Sequence, residues 1–486
     1  MRSMMNVTDE PRAYRNWGKE LGSDIISIGL PPSKIIIVLN SAEAADELLS
    51  KRSSIYSDRP QTPMISSDNL VGWGNNTGMI QYGERWRAQR RMTHEALHKK
   101  ASEELWPIVI RESRHALQRI LDNPDNFAKE IKRMAGASLL SAVYGYNVTS
   151  SEDSLVEVVE TAVNGFSQAG TVSNFYVNMI PWLEYVPTWF PGAQWKRKAN
   201  EWRAQTEEML NVPYEWTKNQ IAGGHAPPSM LTRLLAKYTK EESAEEKDRM
   251  RWATGTLFAV ASALVFIMAM AMHPEIQAKA QAEVDGALNS IRLPEMADRD
   301  SLPYVECIVK EVFRWKAVVP LGVPHACIQD DIYKGYRIPK GAAMQVFRYL
   351  LKFYIIYKIN LSIANLWAIS NDETVYPDPE KFNPDRFLDP SVPEAPAFGF
   401  GRRSCPGIHH AAASLFIFAS GLLSTFNIRP ACDPEGKPIP LKGEMGNNLV
   451  VTQPLPFKCS ITPRSKKHEQ ALREWVDVEA VPSALA

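Results

Sequence analysis

Cysteine is scarce in this chain of 486 residues, and neither sign of charge is in excess. The five cysteines are scattered and odd in number, which argues against a disulfide framework and favours a reducing compartment. They lie at Cys307, Cys327, Cys405, Cys432 and Cys459. The net charge is zero, so nothing predicts nucleic acid as a partner. No linker, repeat or low-complexity tract divides the chain, and we expect residues 1–486 to form a single domain.

The N-terminus lacks a signal peptide and a long apolar run. The chain opens at Met1 with polar and charged residues, so we expect either a form truncated at its N-terminus or one that contacts membranes only peripherally. With 45% hydrophobic residues it can bury a large core. Segments with helical spacing predominate, and apolar runs at 25–28 and 35–39 indicate short strands. The sequence therefore predicts a mainly α protein with small β-sheets.

A glycine-containing loop surrounds one cysteine near the C-terminus. It reads Phe398-Gly399-Phe400-Gly401-Arg402-Arg403-Ser404-Cys405-Pro406-Gly407. Glycines let the backbone turn sharply and approach a ligand closely. Backbone N–H groups at the start of the uncharged run that follows can hydrogen-bond the sulfur and hold it as a thiolate. An axial thiolate favours O–O bond cleavage at a heme iron, so Cys405 is the candidate iron ligand and catalytic residue.

The pattern Phe-x-x-Gly-x-Arg-x-Cys-x-Gly resembles the heme-binding loop of the cytochrome P450 superfamily. It is carried by Phe398, Gly401, Arg403, Cys405 and Gly407. The alternative, a lone buried cysteine in a glycine-containing loop, leaves the matched positions unexplained. The resemblance covers nearly the whole chain and is strongest to fungal enzymes of secondary metabolism. It implies the cytochrome P450 fold, a triangular helical heme-thiolate domain with heme b (iron protoporphyrin IX) as cofactor and Cys405 as the iron ligand.

A carboxylate and two arginines resemble the structural triad of the family. Glu311 and Arg314 lie one helical turn apart and can pair on one face of a helix. Arg386, within the segment Phe382–Phe387, matches the family arginine that joins this pair. The resemblance implies a buried triad that locks the core beside the heme, since buried charges need partners.

Four residues match positions that hold the heme propionates in the family. Trp86 and Arg90 have the Trp-x-x-x-Arg spacing, and an indole N–H and a guanidinium one turn apart suit a carboxylate. His325, in the segment Pro320–His325, matches the position assigned to the other propionate, although a surface histidine is the alternative. Arg403 in the cysteine loop would be a further propionate partner.

The resemblance also implies an activity and its partners. A heme-thiolate monooxygenase inserts one oxygen atom from O₂ into a lipophilic small molecule, with electrons from NADPH through an NADPH–cytochrome reductase. A basic cluster would suit an acidic donor protein, while a solvated helix face explains it equally well. The cluster comprises Arg85, Arg87, Arg90, Arg91, Lys99 and Lys100. The aromatic stretch 166–192 would form a mobile roof over the substrate.

The central helix departs from the family pattern. Family members carry a glycine-rich kink, an acid and a threonine there, which relay protons during oxygen activation. Here residues 254–272 are uncharged, and their only hydroxyls are Thr254, Thr256 and Ser262. A loss of about six residues near 259–262 would shorten the helix by about 9 Å. Positioned proton transfer is worth about 10²–10⁴ in rate, so we expect impaired oxygen activation that Ser262 does not restore.

An insertion at about 346–363 is the second departure. Its Tyr/Ile/Lys/Asn bias differs from its neighbours and resembles translated AT-rich intron sequence. We interpret both departures as errors of splicing or of gene prediction. The alternative function is a heme-binding protein with impaired O₂ activation, either one that uses a peroxide or the inactive product of an aberrant gene model. We expect the protein at the cytosolic face of the endoplasmic reticulum membrane, bound peripherally, with the cytoplasm as the alternative.

Overall fold

The computed structural model describes residues 9–30, 34–148, 150, 153–170, 175–178, 180–238, 243–255, 261–288, 291–340, 360–446 and 451–479. Within these ranges the chain is mostly α-helical. The helices are α1 (Glu10–Leu21), α2 (Ala42–Ala45), α3 (Ser53–Tyr56), α4 (Pro63–Ser66), α5 (Glu84–Leu97), α6 (Lys99–Glu103), α7 (Trp106–Asp122), α8 (Phe127–Tyr144), α9 (Ser154–Ala169), α10 (Gln194–Ala222), α11 (Met230–Tyr238), α12 (Ala244–Thr254), α13 (Ala261–Met272), α14 (Pro274–Leu288), α15 (Pro303–Trp315), α16 (Leu366–Ser370), α17 (Ile408–Thr425) and α18 (Lys466–Glu479). A π-helical turn, Asp46–Lys51, continues α2.

Three small sheets complete the described fold. Their strands are β1 (Ile25–Leu30), β2 (Lys34–Leu39), β3 (Asp331–Tyr333), β4 (Tyr336–Ile338), β5 (Asn360–Ala364), β6 (Phe426–Pro430) and β7 (Cys459–Pro463). β2 pairs antiparallel with β1 and parallel with β5, and the hairpins β3–β4 and β6–β7 are antiparallel. After Lys34, β2 is apolar because both its faces are buried. Ile36 and Val38 pack with Tyr14 of α1, whereas Ile37 and Leu39 pack against α2.

Helix α17, directly after the cysteine loop, lies at the centre of the main hydrophobic core. Its residues 415–425 are buried, and it packs against α7, α14 and α15. Gly421 allows the close approach to α7, because a Cβ there would lie 2.7 Å from Leu117 Cδ1. Among the described residues, α17 is the one helix with the length and apolarity of a membrane span, and 72% of it is buried inside the protein. It is therefore a core helix.

The helix expected over 254–272 is described in two parts. α12 begins at a capping box formed by Ser243 and Glu246 and ends at Thr254. α13 begins at Ala261, and its side chains at 263–271 are buried, as expected of a core helix. The predicted shortening near 259–262 falls at this junction, where residues 256–260 lie outside the described residues.

The end of the predicted insertion, about 346–363, overlaps strand β5. Residues 341–359 lie outside the described residues, but the last four positions belong to β5, which pairs with β2 from Ile35 opposite Asn360. Ser362 also exchanges two backbone hydrogen bonds with His325, at 2.8 and 2.7 Å, and Ile363 is buried. A strand that completes a sheet is an integral part of the fold, so any surplus segment ends before Asn360.

Candidate active site

Cys405 is held at the start of α17 by a tight loop. Its backbone N–H donates to the Phe398 carbonyl oxygen at 2.8 Å, which closes the loop. The Phe398 ring packs edge-on against Phe313 of α15, with 5.0 Å between the ring centroids. Gly401 has a φ of +55°, and a Cβ there would collide with the Leu49 carbonyl oxygen. Only glycine therefore fits where the loop crosses the π-helical turn.

The Cys405 thiol is accessible but crowded by the surrounding protein. The residue is exposed by surface area, while burial among neighbouring groups raises the pKa of the thiol. The Gly407 backbone N–H hydrogen-bonds the sulfur and the Arg90 charge acts on it, and both lower this pKa. These two groups favour the thiolate, which is the form of cysteine that binds a metal.

Arg403 connects the cysteine loop to the segments around α3 and before α5. Its guanidinium lies 4.5 Å from the centroid of the Trp86 ring and donates to three backbone carbonyl oxygens at 2.7, 3.2 and 2.7 Å. These belong to Ser57, Thr77 and Ile80. Burial and the charge of Arg90 outweigh the Asp58 carboxylate and lower the pKa of Arg403 to about 10.

Arg59 is a buried arginine next to Arg403 that no sequence motif revealed. It is 4% exposed and donates to the carbonyl oxygens of Val323 and Pro324 at 2.6 and 2.7 Å. Burial and the charge of Arg403 lower the pKa of Arg59 well below its ordinary range. The Asp58 carboxylate acts on Arg59 from nearby, but the hydrogen bonds of the guanidinium in the described ranges go to neutral carbonyls, so a further anionic group could bind it.

His325 follows Pro324 and is buried as well, with 6% of its surface exposed. The alternative of a surface histidine is therefore wrong. Its Nδ1 lies 2.7 Å from the Tyr56 carbonyl oxygen, so this nitrogen carries a proton and donates it. Burial and the charge of Arg59 lower the pKa of His325 well below its ordinary value. The imidazole is thus neutral and sits beside the arginine cluster.

Helix α5 carries Trp86 and Arg90 one turn apart. Trp86 is 6% exposed, and its ring packs against Tyr82 with 5.0 Å between the centroids. Burial lowers the pKa of Arg90, while the charge of Cys405 raises it. Within the described ranges, the Arg90 guanidinium makes no hydrogen bond. Arg90 therefore brings a further unneutralised cation close to Cys405 and Arg403.

Glu311, Arg314 and Arg386 meet in a buried triad. Arg314 donates to both carboxylate oxygens of Glu311, from Nε at 2.6 Å and from Nη2 at 2.7 Å, and both side chains are fully buried. Arg386 Nε lies 3.3 Å from Glu311 Oε2, and the Asn383 backbone N–H donates to Oε1 at 2.8 Å. Arg314 also donates to the Ser370 carbonyl oxygen at 2.8 Å. The triad fixes α15 to the chain before the cysteine loop.

Comparison with known proteins decides what this arrangement is. The family model for cytochrome P450 matches residues 8–353 and 348–461. The chain belongs to the cytochrome P450 family. The cytochrome P450 monooxygenase COX2 of Coprinopsis cinerea is 37% identical over 479 residues, which cover 95% of this chain and 86% of that protein. The tryptamine 4-monooxygenase of Psilocybe cyanescens is 34% identical, over 93% of this chain and 88% of its own length.

The fold agrees with this assignment. A zebrafish cytochrome P450 structure with progesterone matches with a TM-score of 0.75 and 23% sequence identity, covering 94% of this chain and 100% of that chain. The predicted mainly α cytochrome P450 fold is therefore confirmed. This cytochrome P450 is an oxidoreductase that uses heme, O₂ and a redox partner to act on a small molecule.

The described residues fit a heme group. The Cys405 thiol is accessible and accepts a hydrogen bond from the Gly407 N–H, and it would ligate the iron. Arg59 is buried, and Arg90 and Arg403 are partly buried. The side-chain hydrogen bonds of these cations in the described ranges go to no carboxylate. They suit the two heme propionates, and the His325 and Trp86 side chains lie beside them. When bound, the heme supplies the activation of molecular oxygen.

The described central helices offer little for proton transfer. α13 contains no acidic residue. The Thr254 hydroxyl, at the end of α12, already donates to the Met250 carbonyl oxygen at 2.9 Å. Ser262 is partly buried near the start of α13, whereas Thr256 lies outside the described residues. Within the part of the chain described, no acid and alcohol stand together on this helix.

Proposed function

We propose that this cytochrome P450 is a heme-thiolate monooxygenase of a lipophilic secondary metabolite, supplied with electrons from NADPH by an NADPH–cytochrome reductase. One atom of O₂ enters the substrate. The other is reduced to water, which consumes two electrons and two protons. The observation that carries the proposal is the accessible Cys405 thiol, which lies near the partly buried Arg90 and accepts a hydrogen bond from the Gly407 N–H. The relatives named as monooxygenases support it.

The test is spectroscopic first and chemical second. We expect the reduced protein with carbon monoxide to show the thiolate-type band, and Cys405→Ser to lose it while keeping its helical content. NADPH consumption with a reductase is then compared with product formation. A wild-type protein without the thiolate-type band, or a Cys405→Ser variant that retains it, would contradict the assignment.

A surface of exposed cations supports the choice of an acidic reductase. Of the predicted basic cluster, Arg87, Arg91, Lys99 and Lys100 are exposed, whereas Arg85 turns to Asp248 of α12 and Arg90 is half-buried. Arg402 of the cysteine loop joins this surface, because it hydrogen-bonds the Tyr82 hydroxyl beneath Arg87. Electrostatic steering by such a patch raises association rates and weakens with salt.

Charge reversal tests this docking surface. We expect Arg91→Glu to slow reduction by the reductase about tenfold at low ionic strength, with the difference shrinking as salt is added. Lys458→Glu is the matched control, since Lys458 is an exposed cation next to β7, outside the cluster. Equal reduction rates for the two variants would remove the cluster as the docking surface.

The segment before α10 supports a peripheral location on the endoplasmic reticulum membrane, with the cytoplasm as the alternative. It exposes large aromatic side chains: Tyr176, Trp182, Tyr185, Trp189 and Phe190. Aromatic residues of this kind favour the interface of a bilayer. Lys196 holds the segment in place by donating to the carbonyl oxygens of Glu184 and Val186, and Arg197 donates to Thr188.

Vesicle sedimentation tests the membrane location. We expect the double variant Trp182→Ser with Trp189→Ser to lose most of its binding to phosphatidylcholine–phosphatidylserine vesicles. Tyr336→Ser is the control, because Tyr336 is exposed on β4, away from this segment. Wild-type protein that stays in the supernatant would favour the cytoplasmic alternative.

The second candidate function is a heme protein with impaired O₂ activation, which uses a peroxide or is inactive. The absence of an acid from α13 supports it. The two matched ranges of the family model, 8–353 and 348–461, overlap at residues 348–353. This overlap lies inside the insertion that we propose, and we propose that the chain is a single domain. Sequencing of the spliced transcript across codons 250–275 and 340–368 tests the gene-model hypothesis. Product formed with a hydroperoxide but not with NADPH and reductase would favour this second function.

A further inference from the structure

His410 is a buried imidazole with no assigned role. It lies in the first turn of α17, is 8% exposed, and its Nδ1 has no hydrogen-bond partner among the described residues. The adjacent His409 is exposed on the same helix. Buried polar atoms are nearly always hydrogen-bonded in native proteins, so an orphaned one needs an explanation.

The His410 imidazole lines a small apolar cavity. The free volume is about 10 Å³, which is room for about one water molecule. The lining residues from α5, α8 and the segment before α7 are all aliphatic, and α11 contributes one methionine and Arg233. The Arg233 guanidinium, the single charged group in the described lining, pairs with exposed Glu104 at 3.0 Å. No lining residue would stabilise an imidazolium, and Arg233 would repel it.

Burial and the position of His410 on the helix both oppose protonation. The N-terminal turn of a helix carries a partial positive charge, which disfavours a cation there. Burial lowers the pKa of His410 from 6.5 to about 4. A locally opened turn would take up its proton near pH 6.5 instead. The stability of the closed turn is therefore complete above pH 6.5 and falls as the pH drops from 6.5 towards 4.

The same turn supports the iron-binding sulfur. The Ala411 N–H donates to the Gly407 carbonyl oxygen at 2.8 Å, and the Gly407 N–H hydrogen-bonds Cys405 Sγ. His410 thus lies inside the turn whose first N–H group holds the thiolate. An opening of this turn that breaks the Ala411–Gly407 hydrogen bond would also move Gly407.

We propose that His410 is an acid-sensitive latch on the cysteine loop: uptake of one proton by its imidazole opens the first turn of α17 and takes Cys405 out of its ligating position. The inference rests on the proposed role of Cys405 as the iron ligand. From this group alone, the equilibrium constant for opening rises about 20-fold between pH 7 and pH 5. The effect is reversible on return to neutral pH, provided that the heme stays bound.

The test follows the thiolate-type band of the reduced carbon monoxide complex of the holoprotein as the pH is lowered. We expect the wild type to lose the band on acidification, and His410→Leu to lose it about one pH unit lower because its latch no longer titrates. His409→Leu is the matched control and should titrate like the wild type. Coincident curves for His410→Leu and the wild type overturn the latch, as does an equal shift in His409→Leu.

A second measurement tests the latch in the wild-type protein if His410→Leu does not take up heme. Deuterium exchange at the imidazole C2–H position, read by mass spectrometry on the wild-type holoprotein, gives the titration midpoint of each histidine. We expect a midpoint below pH 5 for His410, and a midpoint near 6.5 for His410 overturns the latch. Cys405→Ser distinguishes a failure of the latch from a failure of the iron-ligand assignment. If the thiolate-type band survives in Cys405→Ser, the ligand assignment is refuted and the latch with it.

Discussion

The crossing of the cysteine loop over the π-helical turn gives the sharpest stability prediction. Gly399 and Gly401 both have positive φ, +77° and +55°, so alanine costs about 1–2 kcal/mol of backbone strain at either position. The space around them differs. A Cβ on Gly399 meets nothing within 4 Å, whereas one on Gly401 collides with the Leu49 carbonyl oxygen and lies 3.0 Å from Ser50 Cα. Overpacking of this kind adds about 1–3 kcal/mol.

Gly401→Ala should therefore lower the free energy of unfolding by about 2–5 kcal/mol, and Gly399→Ala by about 1–2 kcal/mol. For a chain of this length, one kcal/mol corresponds to a change in Tm of about 1 °C. The assay is thermal release of heme, followed by absorbance, together with the heme content of each purified variant. We expect lower heme content in Gly401→Ala only, since its backbone must shift beside Cys405. Equal losses in both variants would refute the steric argument, because the strain alone would then explain them.

Two further predictions concern buried charge. Glu311→Ala leaves two buried guanidinium groups without their carboxylate and should lower the free energy of unfolding by about 3–5 kcal/mol. Glu306→Ala breaks a partly exposed pair with Arg299 and should lower it by less than about 1 kcal/mol in chemical unfolding. Similar losses in the two variants would argue against the triad. Arg59→Leu should weaken heme binding by about tenfold or more in titration of the apoprotein, as expected for the loss of a charge-assisted contact. Arg402→Leu is the control, because Arg402 is exposed and its loss should leave heme affinity unchanged. Equal heme affinities in the two variants would remove Arg59 from the propionate site.

The parts of the site that are local in sequence could be predicted. Glu311 and Arg314 pair because one helical turn separates them, and the glycines around Cys405 are required by a loop only a few residues long. Long-range partners could not be predicted in this way. Arg59 is important through its closeness to Arg403, which lies far along the chain, and no spacing rule relates two such positions.

Side-chain direction was the other limit on prediction. The sequence groups six cations in one cluster, but Arg85 pairs with Asp248 of α12 and leaves the exposed surface. His409 and His410 are chemically identical neighbours, yet one is exposed and the other is buried. Which of two adjacent residues faces the core depends on the rotation of α17 against its neighbours, which is decided by packing and not by residue type.

The pairing of β2 with β5 has a consequence for the biosynthesis of the protein. Residues 35–39 leave the ribosome more than 300 residues before their parallel partner, residues 360–364. Until then the apolar β2 has an unpaired edge, and such an edge invites association with other chains. The N-terminal hairpin should therefore need a chaperone during synthesis, and a transcript that ends early, before codon 360, should yield an aggregating product rather than a smaller soluble domain.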